Sequence, residues 1–254
     1  MSTTVFDQAA AAYDRLRPAY PAEVYDAIER LSGVALAGAL VVEVGAGTGI
    51  ATRALRRRAA KVLALDLSLA MLRTQDRRQG QAADRVGARG ERLPVRDGTA
   101  DLVCAATAWH WVESAAGLAE AVRVLRPGGA LAVWWNTLAD RGIAWCQARE
   151  ESLHRRGATW NGCYAKDYEV TRLDIDLRAT GRFASVERHD TWWERTVPIA
   201  DHLAELATHS PVIWLGAEIG EYIEEQRAVL EREFPDGMVR ERYLCHLHVA
   251  KLRA

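Results

Sequence analysis

Three short stretches of the chain hold residue types that could do chemistry. The first, VVEVGAGTGIATRAL, places glycines at positions 45, 47 and 49 between an apolar run and a helical pattern. Glycine permits a tight turn and a close approach of backbone to a ligand, and the free N–H groups of a following helix favour a nucleotide-like ligand. The spacing is GxGxG, with Ile50 where a dinucleotide fingerprint has its third glycine. The loop alone is therefore also compatible with a strand-to-helix turn that binds nothing.

The other two stretches carry titratable side chains at the ends of apolar runs. VLALDLS ends at Asp66, whose carboxylate could accept hydrogen bonds from both hydroxyls of a ribose, although Asp66 or Ser68 could instead cap a helix. TAWHWVES sets His110 between Trp109 and Trp111. The histidine could act as a general base near neutral pH, and the tryptophans could exclude water. Packing at the end of a strand is the alternative for all three.

Further candidates follow later in the chain. Asn136 could orient a substrate or begin a turn. His246 and His248 share one face of a strand and could bind a metal, but no third ligand is evident, so a packing or surface role is the alternative. His202 and His209, seven residues apart, share a helix face and could line a binding site or lie on the surface.

The order of apolar runs indicates the fold that positions these residues. From residue 39 onward, short apolar runs alternate with helical patterns, which is typical of parallel βαβ units. The sequence therefore predicts an α/β fold with a doubly wound, mostly parallel sheet in a single domain, 1–254, with a cofactor-binding core of about 33–136. Helical segments at 1–32, 138–180 and 199–234 predict a cap over the carboxyl edge of the strands, where such sheets bind ligands.

Composition limits the possible classes of function. The chain has 254 residues, 49% of them hydrophobic, and a net charge of −1 without long basic runs, which disfavours a nucleic-acid partner. The four cysteines form no CxxC pair, so we expect no zinc site, no other metal site, no disulfide framework and a reducing, cytoplasmic compartment. We also expect no export signal and no membrane partner, because no apolar run approaches the length of a membrane span.

Taken in order, five motifs resemble a known family: EVGAGTG, DLSLAML, GERLPVRDGTADLV, AWHWV and LRPGGALAVWWN. They resemble the successive motifs of class I S-adenosylmethionine-dependent methyltransferases, over roughly residues 5–136. The segment FDQAAAAYDRLRPAYP is also similar to the opening of small-molecule members related to trans-aconitate methyltransferase. The resemblance implies a sheet of seven strands with the last one antiparallel, S-adenosylmethionine as cofactor and S-adenosylhomocysteine as product.

The resemblance also implies which residues contact the cofactor. Glu43 would stand near its amino group, and Tyr13 and Arg17 would close over it, Arg17 meeting its carboxylate. Asp66 would hold the ribose. Arg89 replaces an aspartate of the family pattern, which puts the adenine contacts at this position in doubt because an arginine cannot accept a hydrogen bond. The remaining expected contacts are Gly45, Ala46 and Gly47 under the methionine part, Leu67, Met71, Gly90 and Glu91 around the adenine, and Ala106 beside the cofactor.

The predicted activity is methyl transfer to a small-molecule acceptor by a monomer or homodimer. We expect an oxygen acceptor with His110 as base, and substrate contacts from Trp109, Asn136, His209 and Trp214; a carboxylate acceptor would need no base. Trp160 adds to the aromatic surface of the cap, which favours an apolar or aromatic acceptor. Transfer to carbon or nitrogen and a non-catalytic S-adenosylmethionine-binding protein are alternatives. A nicotinamide-dependent oxidoreductase is disfavoured by the GxGxG spacing, the LRPGG motif and the lack of a YxxxK pair.

Overall fold

Seven strands form one sheet in the part of the chain that the computed structural model describes, which is residues 13–75, 84–138, 143–158 and 165–254. The strands are β1 (Leu40–Val44), β2 (Lys61–Asp66), β3 (Asp84–Gly87), β4 (Ala100–Ala106), β5 (Leu125–Leu138), β6 (Phe183–Pro198) and β7 (Met238–Leu252). Their order across the sheet is β3-β2-β1-β4-β5-β7-β6.

The strand directions confirm the predicted topology. β1 pairs in parallel with β2 and β4, β2 with β3, and β4 with β5, whereas β7 runs antiparallel to both β5 and β6. The chain order reverses between β1 and β4, which lie side by side at the centre of the sheet. In sheets of this kind ligands bind at that point, beyond the carboxyl ends of the strands. The glycine loop follows β1 and the WHW stretch follows β4, so the topology brings both to the same edge.

Besides a helical turn at residues 13–16, nine α-helices connect or flank the strands in the described residues. They are α1 (Ala22–Ser32), α2 (Ile50–Arg57), α3 (Leu69–Thr74), α4 (Ser114–Val124), α5 (Ala144–Arg155), α6 (Ala165–Ala179), α7 (Ile199–Leu206), α8 (Ser210–Ile213) and α9 (Ile219–Glu233). Two 3₁₀ turns, Trp109–Trp111 and Gly216–Glu218, complete the set.

The central strands are buried on both faces, and alternate residues belong to two different cores. Trp134 packs on the face covered by α1 and α2, while its neighbour Trp135 packs on the face covered by α4 and α6. Successive side chains of a strand point to opposite faces. This is why β1, β4 and β5 read as continuous apolar runs in the sequence.

The cap over the sheet edge is smaller than the sequence analysis predicts. α5, α7, α8 and α9 share their own apolar cluster, which includes Trp145, Leu153, Leu203, Tyr222 and Leu230. α1 and α6, which we expected in the cap, instead lie against the sheet because each buries an apolar stripe there. Trp160 lies outside the described residues, as do residues 1–12 of the first cap segment.

None of the described helices combines the length and the hydropathy that crossing a bilayer requires.

Candidate active site

The glycine loop after β1 has a backbone conformation and a close contact that favour residues without a side chain. Gly45, Gly47 and Gly49 all have positive φ, at 68°, 54° and 85°, a region that favours glycine. A Cβ on Gly45 would also lie 2.3 Å from the Cβ of Ala108, in the turn after β4. Gly45 therefore allows both the tight turn after β1 and the close contact of this loop with the turn after β4.

Asp66, at the end of β2, anchors the glycine loop. Its carboxylate accepts hydrogen bonds from the backbone N–H groups of Gly47, at 2.8 Å, and Ser68, at 2.7 Å. The Ser68 hydroxyl accepts from the N–H of Met71 at 3.1 Å, so Ser68 is the N-cap of α3. The side-chain amide of Gln75 donates to the carbonyl of Gly47 from the other side, at 2.9 Å. Asp66 also lines the large cavity described below.

Glu43, within β1, places a carboxyl group in the interior beside this loop. It is only 1% exposed, and Thr52 donates a hydrogen bond to it at 2.6 Å. Burial raises the pKa of Glu43 to about 7, and the negative charge of Asp66 acts in the same direction, whereas the Thr52 hydrogen bond lowers it. A cation placed next to Glu43 would favour its ionised form.

A cavity of about 430 Å³ opens above these groups. This volume lies in the range of roughly 300 to 1,000 Å³ that is usual for small-molecule sites. All but Arg17 of the residues expected to contact the cofactor line it: Tyr13, Glu43, Gly45, Ala46, Gly47, Asp66, Leu67, Met71, Gly90, Glu91 and Ala106.

A second cavity, of about 60 Å³, lies between the first one and the cap. Its lining combines the segment after residue 12 with β5, α5, α7 and β7, and includes Arg17, Asn136, Arg149, His202, Glu205, His209 and Tyr243. Four residues line both cavities: Tyr13, Tyr20, Ile50 and Thr107. We call the space between them the junction.

The junction is built by two residues that the sequence analysis missed. Thr107, the first residue after β4, has φ of 53°, which is an unusual conformation for a β-branched residue. Its N–H donates to the carbonyl of Trp134 at 2.7 Å, and its hydroxyl shares a hydrogen bond with the Tyr20 hydroxyl at 2.9 Å. Burial raises the pKa of Tyr20 well above its usual range, so its hydroxyl stays protonated. The signal for Thr107 in the sequence was its position at a strand end.

The WHW stretch forms a 3₁₀ turn that sends its three side chains in different directions, because such a turn has three residues per revolution. Trp109 is 5% exposed and packs in the core, and Trp111 is half exposed and lines the larger cavity. His110 lines neither cavity; its Nδ1 accepts a hydrogen bond from the indole N–H of Trp135 at 3.4 Å. Of the three residues, only Trp111 lines one of the two cavities.

Of the other residues expected to contact the substrate, two line the smaller cavity and one lies outside both cavities. Asn136 and His209 line the smaller cavity, and so does Arg17. Asn136 donates to the carbonyl of Ala19 at 3.1 Å. Trp214 lies outside both cavities and is 61% exposed, because it follows the short α8 on the outer side of the cap.

The paired histidines of β7 are engaged with carboxylates. His246 contacts Asp190 at 2.8 Å and His248 contacts Asp174 at 3.0 Å, each through Nδ1. His202 and His209, by contrast, both line the smaller cavity from the cap. They do not share a helix face as their spacing predicted, because α7 ends at Leu206 and His209 has an extended backbone at the N-terminus of α8.

Comparisons with known proteins agree with this arrangement. The family described as methyltransferase domain matches residues 42–133, which contain the glycine loop, Asp66 and the WHW turn. A methyltransferase of Mycobacterium tuberculosis named as uncharacterised is 38% identical over 188 residues, covering 74% of this chain and 69% of the relative. A malonyl-[acyl-carrier protein] O-methyltransferase of Pseudescherichia vulneris is 39% identical over 122 residues, covering 46% and 47% of the two chains.

A solved structure extends the similarity to nearly the whole fold. It is phosphoethanolamine N-methyltransferase 2 of Haemonchus contortus, in complex with phosphomonomethylethanolamine and S-adenosylhomocysteine. It aligns with a TM-score of 0.59 at 14% identity, covering 98% of this chain and 58% of the other. The glycine loop, the strand-end carboxylate and the matched sequence lead to one conclusion: the chain belongs to the class I S-adenosylmethionine-dependent methyltransferases.

Proposed function

We propose that this methyltransferase acts on an oxygen atom of a small-molecule acceptor that lies at the junction of the two cavities. The observation that carries the proposal is the shared lining: Tyr13, Tyr20, Ile50 and Thr107 border both spaces. An acceptor in the smaller cavity would therefore lie next to the larger one.

The larger cavity has the groups that S-adenosylmethionine requires. The carboxyl of Glu43 suits the amino group, and the carboxylate of Asp66, which lines the cavity, suits ribose hydroxyls. The absence of a side chain at Gly45 leaves space that a Cβ would fill. When bound, S-adenosylmethionine supplies a methyl group on a positively charged sulfonium. Trp111, half exposed on this cavity, offers an aromatic surface to a cation.

The junction residues suit the positioning of an acceptor. Methyl transfer needs a nucleophile held at roughly 3 to 3.5 Å in the correct orientation, where water does not compete. The hydroxyls of Tyr20 and Thr107 can each donate or accept a hydrogen bond there. The name of the Pseudescherichia relative supports an oxygen acceptor, whereas the Haemonchus enzyme shares the fold alone.

The base for an oxygen acceptor stays a prediction. The sequence favours His110, but its Nδ1 lone pair accepts from Trp135. The neutral ring then carries its proton on Nε2, which makes that nitrogen a donor. Proton removal by His110 therefore requires the ring to leave Trp135, and an acceptor that is already anionic requires no base.

Thermal denaturation tests the cofactor, and product analysis tests the acceptor. We expect S-adenosylmethionine and S-adenosylhomocysteine to raise the midpoint, and NAD and NADP to leave it unchanged. Incubation of a metabolite extract with isotopically labelled cofactor should then give an O-methylated product by mass spectrometry. Labelled N- or C-methyl products would contradict the oxygen assignment, and binding without transfer to any component would favour a cofactor sensor.

A further inference from the structure

β6 forms one edge of the sheet, and one side of its backbone has no partner strand in the described residues. The strand runs over 16 residues, Phe183–Pro198, and within the described chain β7 is the one strand that pairs with it. An edge strand carries a row of N–H and C=O groups that can pair with another chain. Proteins usually protect such an edge with a bulge, a proline, charged side chains or a covering segment.

The hydrogen bonds to β7 show which backbone groups of β6 point outward. Just beyond the strand, the N–H of Ile199 donates to the carbonyl of Gly237 at 3.0 Å, so position 199 faces β7. The register between the two strands is regular over residues 185–198. Because successive residues of an antiparallel strand bond alternately to one neighbour and to the other side, the even-numbered residues point outward. The carbonyl of Val186 accepts a hydrogen bond from the Arg178 side chain at 2.8 Å, which agrees with this assignment.

Two features close the ends of the outward row. The side chain of Arg178, on α6, occupies the carbonyl of Val186. At the other end, Pro198 has no N–H to donate. Between them, the outward backbone groups have no hydrogen-bond partner in the part of the chain that the structure describes. We call residues 188–196, with the sequence RHDTWWERT, the open edge.

The outward-pointing residues of the open edge include charged and aromatic side chains. Arg188 lies 3.6 Å from Asp190, and both are on the surface. Glu194 lies 3.7 Å from Arg242 of β7. Between them Trp192 is 53% exposed. Tryptophan and arginine are enriched where proteins meet, so the composition of the open edge is that of a contact surface.

The order of charges along the open edge favours a second copy of the same strand. Two copies of one edge pair about a two-fold axis by running antiparallel, and an outward residue pairs only with an outward residue. With Thr191 on the axis, Arg188 of each copy lies opposite Glu194 of the other. With Trp192 on the axis, Asp190 would lie opposite Glu194, and with Asp190 on the axis it would lie opposite itself. Like charges directly opposite each other are destabilising, so the charges select the first register.

We propose that the open edge is a dimerisation surface, at which β6 pairs antiparallel with β6 of a second copy of this chain, with Thr191 on the two-fold axis. Residues 188 and 194 then form hydrogen-bonded pairs, as do residues 190 and 192. Trp192 of one copy becomes the diagonal neighbour of Trp192 of the other, which is within reach of aromatic side chains. Backbone hydrogen bonds supply the affinity, and the Arg188–Glu194 pairs fix the register. The inference does not depend on the proposed function.

Sedimentation equilibrium of the full chain at low ionic strength, over about 1 to 200 µM protein, tests the proposal. We expect a monomer–dimer equilibrium. Arg188→Glu places a negative charge opposite Glu194 on both sides of the axis and should raise the dissociation constant by about tenfold or more. Glu194→Arg should have the same effect. The double variant Arg188→Glu/Glu194→Arg restores opposite charges at both positions and should recover the dimer.

Arg57→Glu is the matched control for the change of charge. Arg57 is exposed on α2, which packs against β2, and β2 and β6 lie on opposite sides of the centre of the sheet. This variant should dimerise as the parent does. A monomer at every concentration, a dimer that neither Arg188→Glu nor Glu194→Arg weakens, or a double variant no more dimeric than the single ones would each overturn the proposal.

A pair of introduced cysteines tests the register. Within one chain, residues 188 and 194 lie roughly 20 Å apart along the strand, too far for a disulfide. In the proposed dimer their Cα atoms face each other at about 5.5 Å. Arg188→Cys/Glu194→Cys should therefore form a covalent dimer on mild oxidation, with the 188–194 disulfide identified by peptide mass spectrometry, and neither single variant should form a disulfide at its new position. Absence of that disulfide at concentrations where the parent is dimeric would overturn the proposed pairing.

Discussion

The carboxylate of Asp66 accepts a hydrogen bond from the backbone N–H of Gly47 over 2.8 Å. Asp66, at the end of β2, therefore holds the loop after β1 in place, and it also lines the larger cavity. A change at this one side chain would alter both the loop and the lining of the cavity.

Substitution of Asp66 should consequently weaken cofactor binding more than the loss of one ligand contact suggests. For Asp66→Ala we expect the binding free energy of S-adenosylhomocysteine to weaken by about 1.5 to 3 kcal/mol, which is about 10- to 150-fold in affinity, since charge-assisted hydrogen bonds are lost. Calorimetric titration measures this. Asp101→Ala is the control, because Asp101 likewise accepts from a backbone N–H, that of Leu40 at 2.7 Å, but lines neither cavity. Unchanged affinity in Asp66→Ala would remove Asp66 from the site.

Glu43 should make cofactor binding depend on pH. Burial raises the pKa of its carboxyl to about 7. The amino group of the cofactor is cationic below roughly pH 8 and favours ionised Glu43. We therefore expect the affinity for S-adenosylhomocysteine to fall as the pH drops below about 7, by up to tenfold per pH unit. Glu43→Gln should abolish this dependence between pH 5.5 and 7. A variant that keeps the parent's pH profile in calorimetry would assign the dependence to another group.

The same carboxyl should affect the stability of the ligand-free protein. The folded-state pKa of about 7 exceeds the ordinary value of 4.5, so the folded state holds a proton that the unfolded chain releases between these pH values. Stability from this source is present below pH 4.5 and lost as the pH rises to about 7. Glu43→Gln keeps an acceptor for Thr52 without the charge.

Urea denaturation at two pH values checks this sign. At pH 8 we expect Glu43→Gln to be more stable than the parent, by up to roughly 3 kcal/mol, and at pH 5 to be no more stable. The same difference at both pH values would show that Glu43 does not titrate as its burial indicates.

Gly45 should tolerate no side chain. A Cβ there meets the Cβ of Ala108 at 2.3 Å in addition to the positive φ. Gly45→Ala should therefore reduce both stability and the affinity for S-adenosylhomocysteine, the latter by about tenfold or more, because the loop must move away from the turn after β4. Gly98→Ala is the matched control: its φ is 64° and no atom lies within 4 Å of its Cβ.

The control separates backbone strain from steric conflict. Gly98→Ala should lose only about 1 to 2 kcal/mol of stability, the cost of the left-handed conformation, and bind the cofactor normally. If both variants lost equal stability and bound S-adenosylhomocysteine equally well, the contact between Gly45 and Ala108 would not contribute to cofactor binding.

Short sequence patterns predicted the positions of residues that lie directly at the ends of strands. The glycine loop and Asp66 could be placed from the sequence because each lies at the end of an apolar run, and the sheet topology brings strand ends together. Which side chains of the WHW turn face the core and which face the cavity could not be predicted, because a 3₁₀ turn rotates each residue by about 120°. From the sequence alone, Trp109 and Trp111 were indistinguishable.

The acceptor side was harder to predict because its residues come from distant segments. Arg149 and Glu205 meet in one cavity only after α5 and α7 pack against each other and against β7. Neither residue stands out in the sequence, where both lie among ordinary helical charges. The apolar or aromatic acceptor predicted from Trp109, Trp160 and Trp214 stays a prediction, since none of the three lines the smaller cavity in the described residues.

His110 provides the last prediction, which decides whether a base operates in the site. Its Nδ1 accepts from the indole N–H of Trp135 at 3.4 Å, and its ring lines neither cavity. We therefore expect His110→Ala to keep turnover within about threefold of the parent while losing about 1 to 3 kcal/mol of stability, because the buried Trp135 donor loses an acceptor.

His110→Gln, which keeps an acceptor for Trp135, should recover much of that stability with the same turnover. Methyl transfer to the acceptor found by product analysis, measured from pH 5.5 to 8.5, distinguishes the roles. A general base contributes roughly 10²- to 10⁴-fold, and its loss would also remove the fall in rate as the pH drops through the titration of the histidine. Such a loss in both variants, with cofactor affinity unchanged, would show that the ring leaves Trp135 and takes the proton from the acceptor.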